Sequence, residues 1–236
     1  MTTELTISGV LPRTLYASAL ERLSGFAERG EAFIASEEVF ARNTVSGSTD
    51  GPGSAAAADA GGVLRVKAVR TRSTGDAAQW SLQVNGRPEP PRTAPRAQQH
   101  AATEFSVEDG SDPRSFASAL GYGKNLFTLH RRGVRFQRGA VTVELFQLHE
   151  DNDSPTPLDP SSYAVCASTR FTAAPSTSNS GSSTVARGGT GGGAAGASAG
   201  GGGGGGASHE LREASLAALE DVARLLKGLV DLSRVD

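Results

Sequence analysis

The sequence predicts a mainly β (α+β) protein, an antiparallel β-barrel flanked by three helices. About nine short segments alternate apolar and polar residues, which is the period of a half-buried strand. Only three segments, near the beginning, middle and end of the 236 residues, repeat apolar residues at helical spacing. Strands that are not separated by helices favour antiparallel pairing over βαβ units. Closing the sheet into a barrel would also remove its exposed edges.

Residues 1–45 predict the first strand, a helix and the second strand of the barrel domain. Leu5 and Ile7 alternate with polar residues in the first strand. Pro12 suits the first turn of a helix, and apolar residues then recur at spacings of three and four residues as far as Phe26. Residues 46–62 contain no bulky apolar side chain, so burial cannot offset their ordering entropy and we expect a flexible low-complexity loop.

Residues 63–173 predict the remainder of the barrel. Asp112-Pro113 is a helix-start signal and Gly121 a stop signal, so a short middle helix should lie between them. Gly133 is expected to separate two strands. The predicted strands are centred on residues 64–69, 80–84, 103–107, 126–131, 134–138, 141–149 and 163–171.

The Gly/Ser-rich segment 174–207 predicts a disordered tether with an r.m.s. reach of roughly 30 Å. Residues 208–236 then predict a C-terminal helix with a continuous apolar stripe. Such a stripe needs a partner surface, and we expect this helix to dock on the same domain. The stripe consists of Leu211, Leu219, Val222, Leu225, Leu226, Leu229 and Leu232.

The sequence contains little that indicates catalysis or ligand binding. Its single cysteine, Cys166, excludes an internal disulfide and multi-cysteine zinc sites, and we expect it to pack in the core. The four histidines lie too far apart for short metal-ligand spacing. Neither a phosphate-binding loop nor a membrane span or signal peptide is recognisable. We therefore predict an intracellular protein with no catalytic residue, metal, cofactor, small-molecule substrate or membrane contact.

One basic segment offers a binding cue. Five positive charges fall within 15 residues with no acid among them, interleaved with Phe127 and Phe136. Rings and a basic groove suit single-stranded RNA, although rings at strand spacing also suit a core. The candidate partner or RNA contacts are Lys124, Arg131, Arg132, Arg135 and Arg138.

Several short sequence blocks occur in a characteristic order. They are Glu4-Leu5-Thr6-Ile7-Ser8-Gly9, Glu37-Glu38-Val39-Phe40, Trp80-Ser81-Leu82, Leu120-Gly121-Tyr122, Gly133-Val134-Arg135-Phe136, Val143-Glu144-Leu145-Phe146 and Leu229-Val230-Asp231-Leu232-Ser233-Arg234-Val235-Asp236. As a set they resemble the Mediator complex subunit 18 family, which belongs to the head module of the transcriptional coactivator Mediator. The resemblance covers the chain except for its two low-complexity segments and a Pro-rich loop.

The resemblance implies a barrel similar in fold to tunnel-type triphosphatases, acting as a non-catalytic subunit. It implies a nuclear protein that helps couple regulators to RNA polymerase II transcription. Its partners would be other Mediator subunits, especially head-module subunits 20 and 8, with indirect or weak contact to the polymerase.

The alternative is a triphosphate-tunnel phosphohydrolase or an RNA-binding barrel. Hydrolysis in a tunnel needs inward carboxylates for divalent metal and inward cations for phosphate. A Glu-x-Glu-x-Lys strand would indicate such a site, and the strands that carry Glu4, Glu104 and Glu144 lack this pattern. Many acids lining a hollow bore opposite positive side chains would argue for the enzyme.

Overall fold

A computed structural model describes residues 2–43, 63–75, 77–108, 111–172 and 206–235. The predicted loop at 46–62 and residues 174–205 of the predicted tether lie outside the described residues. Within these ranges the elements are β1 Thr2–Pro12, α1 Tyr16–Phe26, β2 Arg29–Ala41, β3 Val63–Thr71, β4 Gln79–Asn85, β5 Gln98–Val107, α2 Pro113–Ala119, β6 Lys124–Arg138, β7 Val141–His149, β8 Ser162–Thr172 and α3 Gly206–Leu225.

The strands form a closed barrel in the order β1-β5-β4-β3-β2-β6-β7-β8. Every neighbouring pair is antiparallel. The predicted fold class is therefore confirmed. Among the described residues, no helix combines the length and the apolar character that crossing a bilayer requires.

The described barrel has eight strands rather than about nine, because Gly133 does not interrupt β6. A Cβ atom at Gly133 would lie 1.9 Å from the backbone oxygen of Leu145 on β7. The absence of a side chain lets the two strands approach closely at this point, which is a recognised use of glycine within a strand. The prediction of two strands here was wrong because the glycine serves close approach and not a turn.

The apolar cores lie outside the barrel wall. In the larger core, residues of β1, β7 and β8 such as Leu5, Leu145 and Val165 pack with α1 and α3. In the smaller core, Leu64 and Leu82 pack with Ala117 of α2. Because side chains alternate along a strand, this arrangement directs the polar residues of the same strands into the lumen.

The predicted C-terminal helix is shorter than expected and is followed by an extended segment. Helix α3 ends at Leu225, and Gly228 then adopts a φ of +84°, a conformation typical of glycine after a helix. Beyond this turn the backbone N–H of Ser8 donates to Ser233 O at 2.8 Å, and that of Ser233 donates to Ser8 O at 3.1 Å. Since β5 pairs with β1 only as far as Thr6, Ser233 covers the next part of that strand edge.

Most of the predicted stripe faces the barrel, with one exception. Leu219, Val222, Leu226 and Leu232 are buried, and Leu225 and Leu229 are partly buried against the same core. Leu211 is 44% exposed, so its place in the stripe was wrong. It lies roughly 80° around the helix from Leu219, on the side away from the buried Leu216, which the prediction missed.

Candidate functional site

The lumen carries a ring of charged side chains. The strand register and the side-chain contacts place four glutamates there: Glu4, Glu37, Glu104 and Glu144. Positive side chains from neighbouring strands face them. These are Arg65 and Lys67 of β3, Arg131 and Arg135 of β6, and Arg170 of β8.

A continuous chain of ion pairs crosses four adjacent strands. Glu37 pairs with Arg65 on one side and with Arg131 on the other, where Arg131 Nη2 lies 3.1 Å from Glu37 Oε2. Arg131 Nη1 also donates to Glu144 Oε2 at 2.8 Å, and Arg135 Nε donates to Glu144 Oε1 at 2.9 Å. Each acid therefore lies between two cations, and Arg131 links both acids.

A second group of charges lies where β1, β5 and β8 meet. Arg170 pairs with Glu104 and also approaches Glu4, with 3.3 Å between Arg170 Nη2 and Glu4 Oε2. Gln83 Nε2 donates to Glu4 Oε2 at 2.9 Å. His100 Nε2 lies 3.5 Å from the same oxygen, which is long for a hydrogen bond.

These surroundings change the protonation of the lumen groups. Burial alone would raise the pKa of Glu4, but the approach of His100 and the charges of Arg170 and Lys67 together lower it to about 2. Burial would also raise the pKa of Glu37, but the charges of Lys67, Arg131 and Arg65 lower it below its usual value. Burial lowers the pKa of Lys67 despite the nearby carboxylates. Glu4 and Glu37 are therefore held ionised as counter-ions of the cations.

The arrangement partly meets the condition for an enzyme, because acids do face cations in the lumen. The acids are nevertheless separated from one another, since Arg131 lies between Glu37 and Glu144 and Arg170 lies between Glu4 and Glu104. Among the described residues, no three histidine, cysteine or acidic side chains are grouped so that they could hold a metal ion. Each of the four lumen glutamates is instead paired with at least one arginine.

The five predicted basic contacts do not share one surface. Arg131 and Arg135 point into the lumen, whereas Arg132 lies on the outer face and donates to Asn152 O at 2.7 Å. Arg138 stacks over the ring of Phe26 at 4.5 Å, and Lys124 is exposed at the start of β6. Successive strand residues point to opposite faces, so a basic run becomes two surfaces. Contact of these residues with a partner or RNA stays a prediction.

The sequence analysis did not identify several charged lumen residues, although the alternation pattern of their strands indicated them. Arg65 and Lys67 alternate with Leu64 and Val66, so the strand pattern already placed two cations on one face. Cys166 was expected in the apolar core but lies on the lumen face, opposite Ser8 and Glu144 in the strand register. Burial raises the pKa of its thiol to about 11, and this keeps the group protonated.

The fold and the lumen together define a closed antiparallel barrel with a charge-paired interior and helices on its outside. The family model described as "Med18 protein" matches residues 3–174. The chain therefore belongs to the Med18 family. This confirms the predicted resemblance and, with it, a role as a subunit of the Mediator coactivator complex in RNA polymerase II transcription, with other Mediator subunits as its partners.

Solved structures show the same fold. A chain of the Schizosaccharomyces pombe Mediator head module is similar with a TM-score of 0.61 and 18% identity, covering 99% of this chain and 98% of that chain. The PH1819 protein of Pyrococcus horikoshii OT3 is similar with a TM-score of 0.53 and 11% identity, covering 99% and 94%. At these identities the likeness shows the fold alone. No curated protein matches the sequence.

Proposed function

We propose that this chain is a non-catalytic adaptor of the Mediator head module in the nucleus. It binds head-module subunits 20 and 8 and helps couple regulators to RNA polymerase II, which it contacts indirectly. Family membership supports the assembly. The absence of catalysis is supported by the chemistry of the lumen.

The observation that carries this proposal is the engagement of the lumen glutamates by arginines. A magnesium ion needs carboxylate oxygens at close, near-octahedral positions. To supply Glu37 and Glu144 to one ion, the barrel would have to displace Arg131 from both, which leaves a buried guanidinium without a counter-ion. Breaking such buried pairs is costly, so the lumen favours a structural role.

Co-purification tests the adaptor proposal directly. A tagged full-length chain, isolated from nuclear extract, should carry subunits 20 and 8 in near-stoichiometric amounts by quantitative mass spectrometry. Recovery of the chain alone would contradict the proposal. Leu211→Ala is a suitable control because this exposed side chain contributes little to the core.

A triphosphatase assay tests the alternative enzyme. The purified chain is incubated with 5′-triphosphorylated RNA and magnesium or manganese, and phosphate release is measured. We expect no release above a protein-free control. Metal-dependent release that disappears in Glu37→Gln would establish the enzyme and overturn the non-catalytic assignment.

Salt dependence tests the RNA-binding barrel. Phosphate contacts make affinity fall steeply as ionic strength rises. Binding of single-stranded RNA with such a slope, reduced by Lys124→Ala, would favour this alternative. Lys124 is a suitable probe because it is exposed, unlike the two lumen arginines of the basic segment.

A further inference from the structure

The two strands β1 and β5 are offset, and the offset leaves one edge of β5 without a partner. Strand β5 runs from Gln98 to Val107, but β1 pairs with it only as far as Ala102, which lies opposite Thr2. On its other side β5 pairs with β4 as far as Val107. Within the part of the chain that the structure describes, no strand lies beside residues 103–107 on the β1 side. The name open edge of β5 refers below to these residues.

The backbone of the open edge presents hydrogen-bonding groups outward from the sheet. The N–H of Gly86 donates to Ala101 O at 2.8 Å, so Ala101 directs its backbone groups toward the β4 side. Successive residues of an antiparallel strand direct these groups to opposite sides, and the register with β4 is continuous as far as Val107. The N–H and C=O groups of Glu104 and Ser106 therefore face the open edge, where no described residue bonds to them.

The exposure of β5 changes where its pairing with β1 ends. Residues 98–102 are buried or partly buried, whereas the next four, residues 103–106, are all exposed. The ring of Phe105 lies on the outer face, because Phe105 pairs with Leu82 of the smaller core, and it is 54% exposed. Unpaired backbone groups beside an exposed apolar ring form a template on which another strand can pair.

Helix α2 places a second exposed ring toward the same edge. Ala117 packs in the smaller core over β3 and β4, and Arg114 donates to Glu38 on β2. Phe116 lies about 200° around the helix from Arg114, so it projects away from β2 and toward β5. This ring is 52% exposed. Phe105 and Phe116 therefore border one apolar strip of the outer wall.

The opposite end of the same strand pair shows how such an edge is satisfied. Beyond Thr6, β1 has no β5 residue beside it. There the extended C-terminal segment supplies Ser233, which exchanges two backbone hydrogen bonds with Ser8. The offset thus produces an overhang at each end. An added strand segment covers the overhang of β1, and no described segment covers that of β5.

We propose that the open edge of β5 binds an extended segment of a partner polypeptide, which adds to the sheet as a strand antiparallel to β5 and in line with β1. In strand addition, main-chain hydrogen bonds give affinity and alternate side chains give specificity. The segment alternates apolar and polar residues, since its outer face must cover Phe105 and Phe116 while its other face meets the mouth of the lumen.

A strand fits this edge better than a helix. The backbone of a helix is already bonded internally and would leave the groups of Glu104 and Ser106 unpaired. Strand addition also preserves the ion pair between the side chains of Glu104 and Arg170, because it uses only the backbone of β5. This inference rests on the proposed function, in that it treats the chain as a binding subunit.

Fluorescence anisotropy with the full-length chain tests the inference. The probe is a dye-labelled peptide of alternating valine and threonine with a lysine at each end. Its matched control is the same peptide with every backbone amide N-methylated, which keeps the side chains but removes the donors. We expect the first peptide to bind and the second not to bind. Equal binding of the two peptides, or no binding of the first, would overturn the inference.

Variants of β5 identify the site. Ser106→Pro removes the N–H that faces the open edge and leaves the hydrogen bonds with β4 in place, a position at which proline is tolerated in strands. Ser106→Ala is the matched control, because it removes the hydroxyl and keeps the N–H. Loss of one hydrogen bond should raise Kd roughly tenfold or more in Ser106→Pro and leave Ser106→Ala close to wild type. Equal affinity of these two variants would contradict strand addition.

A second variant keeps the test decisive if Ser106→Pro does not fold. Phe105→Ala removes an exposed ring and should therefore fold as wild type does. It should weaken binding of the alternating peptide, because the apolar face of the added strand loses its cover. Unchanged affinity in Phe105→Ala would show that the peptide binds elsewhere and would overturn the inference.

Amide hydrogen exchange followed by NMR distinguishes a partner segment from other occupants. In the free chain the amides of Glu104 and Ser106 should exchange rapidly and that of Phe105, which faces β4, slowly; adding the peptide should protect the first two. Protection of Glu104 and Ser106 in the free monomer would show that the chain covers its own edge, and the proposal would be wrong. A concentration-dependent dimer that Ser106→Pro abolishes would replace the partner with a second copy of this chain.

The outcome is separable from that of the adaptor proposal. If the alternating peptide fails to bind while subunits 20 and 8 still co-purify, the inference about the open edge is wrong and the adaptor proposal stands. If the chain purifies alone but binds the peptide in a manner that depends on the N–H of Ser106, the adaptor proposal is wrong and the open edge remains a strand-binding site.

Discussion

Replacing Glu37 by glutamine tests whether the lumen network stabilises the barrel. The Glu37 side chain is 4% exposed and lies between Arg65 and Arg131. Glutamine preserves the volume and one acceptor oxygen but removes the negative charge. Arg65, Arg131 and the nearby Lys67 then share a poorly hydrated environment with one counter-ion fewer.

Removing one partner of a buried ion pair typically costs about 3–5 kcal/mol. The lower end applies here, because the side chains of Arg131 and Arg65 keep 15% and 33% exposure and retain some hydration. We therefore expect Glu37→Gln to lower the free energy of unfolding by about 3 kcal/mol. For a domain of this size that corresponds to a fall in Tm of roughly 6–12 °C.

Thermal unfolding at neutral pH, followed by circular dichroism, measures this change. The matched control is Glu213→Gln, which weakens the exposed pair with Arg96, whose side chains are 39% and 43% exposed. Exposed pairs contribute about 0–1 kcal/mol, so this control should melt close to wild type. If Glu37→Gln melts as high as Glu213→Gln, the lumen pairs do not stabilise the barrel and the structural interpretation of the network fails.

Three further predictions concern the wall, the C-terminal helix and acid stability. Gly133→Ala should destabilise the barrel by about 3 kcal/mol, because the new Cβ clashes with β7. Gly25→Ala has open space around its new Cβ and should stabilise α1 by about 0.5–1 kcal/mol. Urea unfolding of both variants measures these changes. Leu219→Ala should cost about 2–5 kcal/mol and exposed Leu211→Ala less than about 0.5, and equal costs would mean that α3 is not docked. Because the pKa of Glu4 is lowered from 4.5 to about 2, its contribution is present above pH 4.5 and lost as the pH falls toward 2. Wild type should therefore lose Tm more steeply over that interval than Glu4→Gln.

Much of the fold was predictable because local patterns and tertiary packing agree. Period-two alternation located the strands, and Asp112 caps α2 through the backbone N–H of Arg114 as the start signal indicated. The errors arose where long-range geometry decides. In the sequence alone, Gly133 indicates a break between two strands. Only the position of β7 shows that this glycine lets β6 and β7 approach closely. The end of α3 likewise depends on the edge of β1 that Ser233 covers.

The lumen was less predictable because its pairs join residues far apart in sequence. Arg131 and Glu37 are 94 positions apart, and Arg170 and Glu4 are 166 apart. Alternation shows that such residues lie on polar faces, but barrel order decides which polar faces meet. The basic segment of β6 was misleading for the same reason, since its residues divide between two faces of one strand.

The distribution of charge and apolar surface favours the outer wall of this barrel over its lumen for partner binding. A ligand that entered the lumen would have to separate Glu37 or Glu144 from Arg131, at a cost of about 3–5 kcal/mol before any new contact forms. Parts of the outer wall are already covered by α1, α2 and α3, which bury the apolar faces of their strands. A partner on the outer wall can form contacts without breaking the ion pairs of the lumen, so affinity is easier to obtain there than in the lumen.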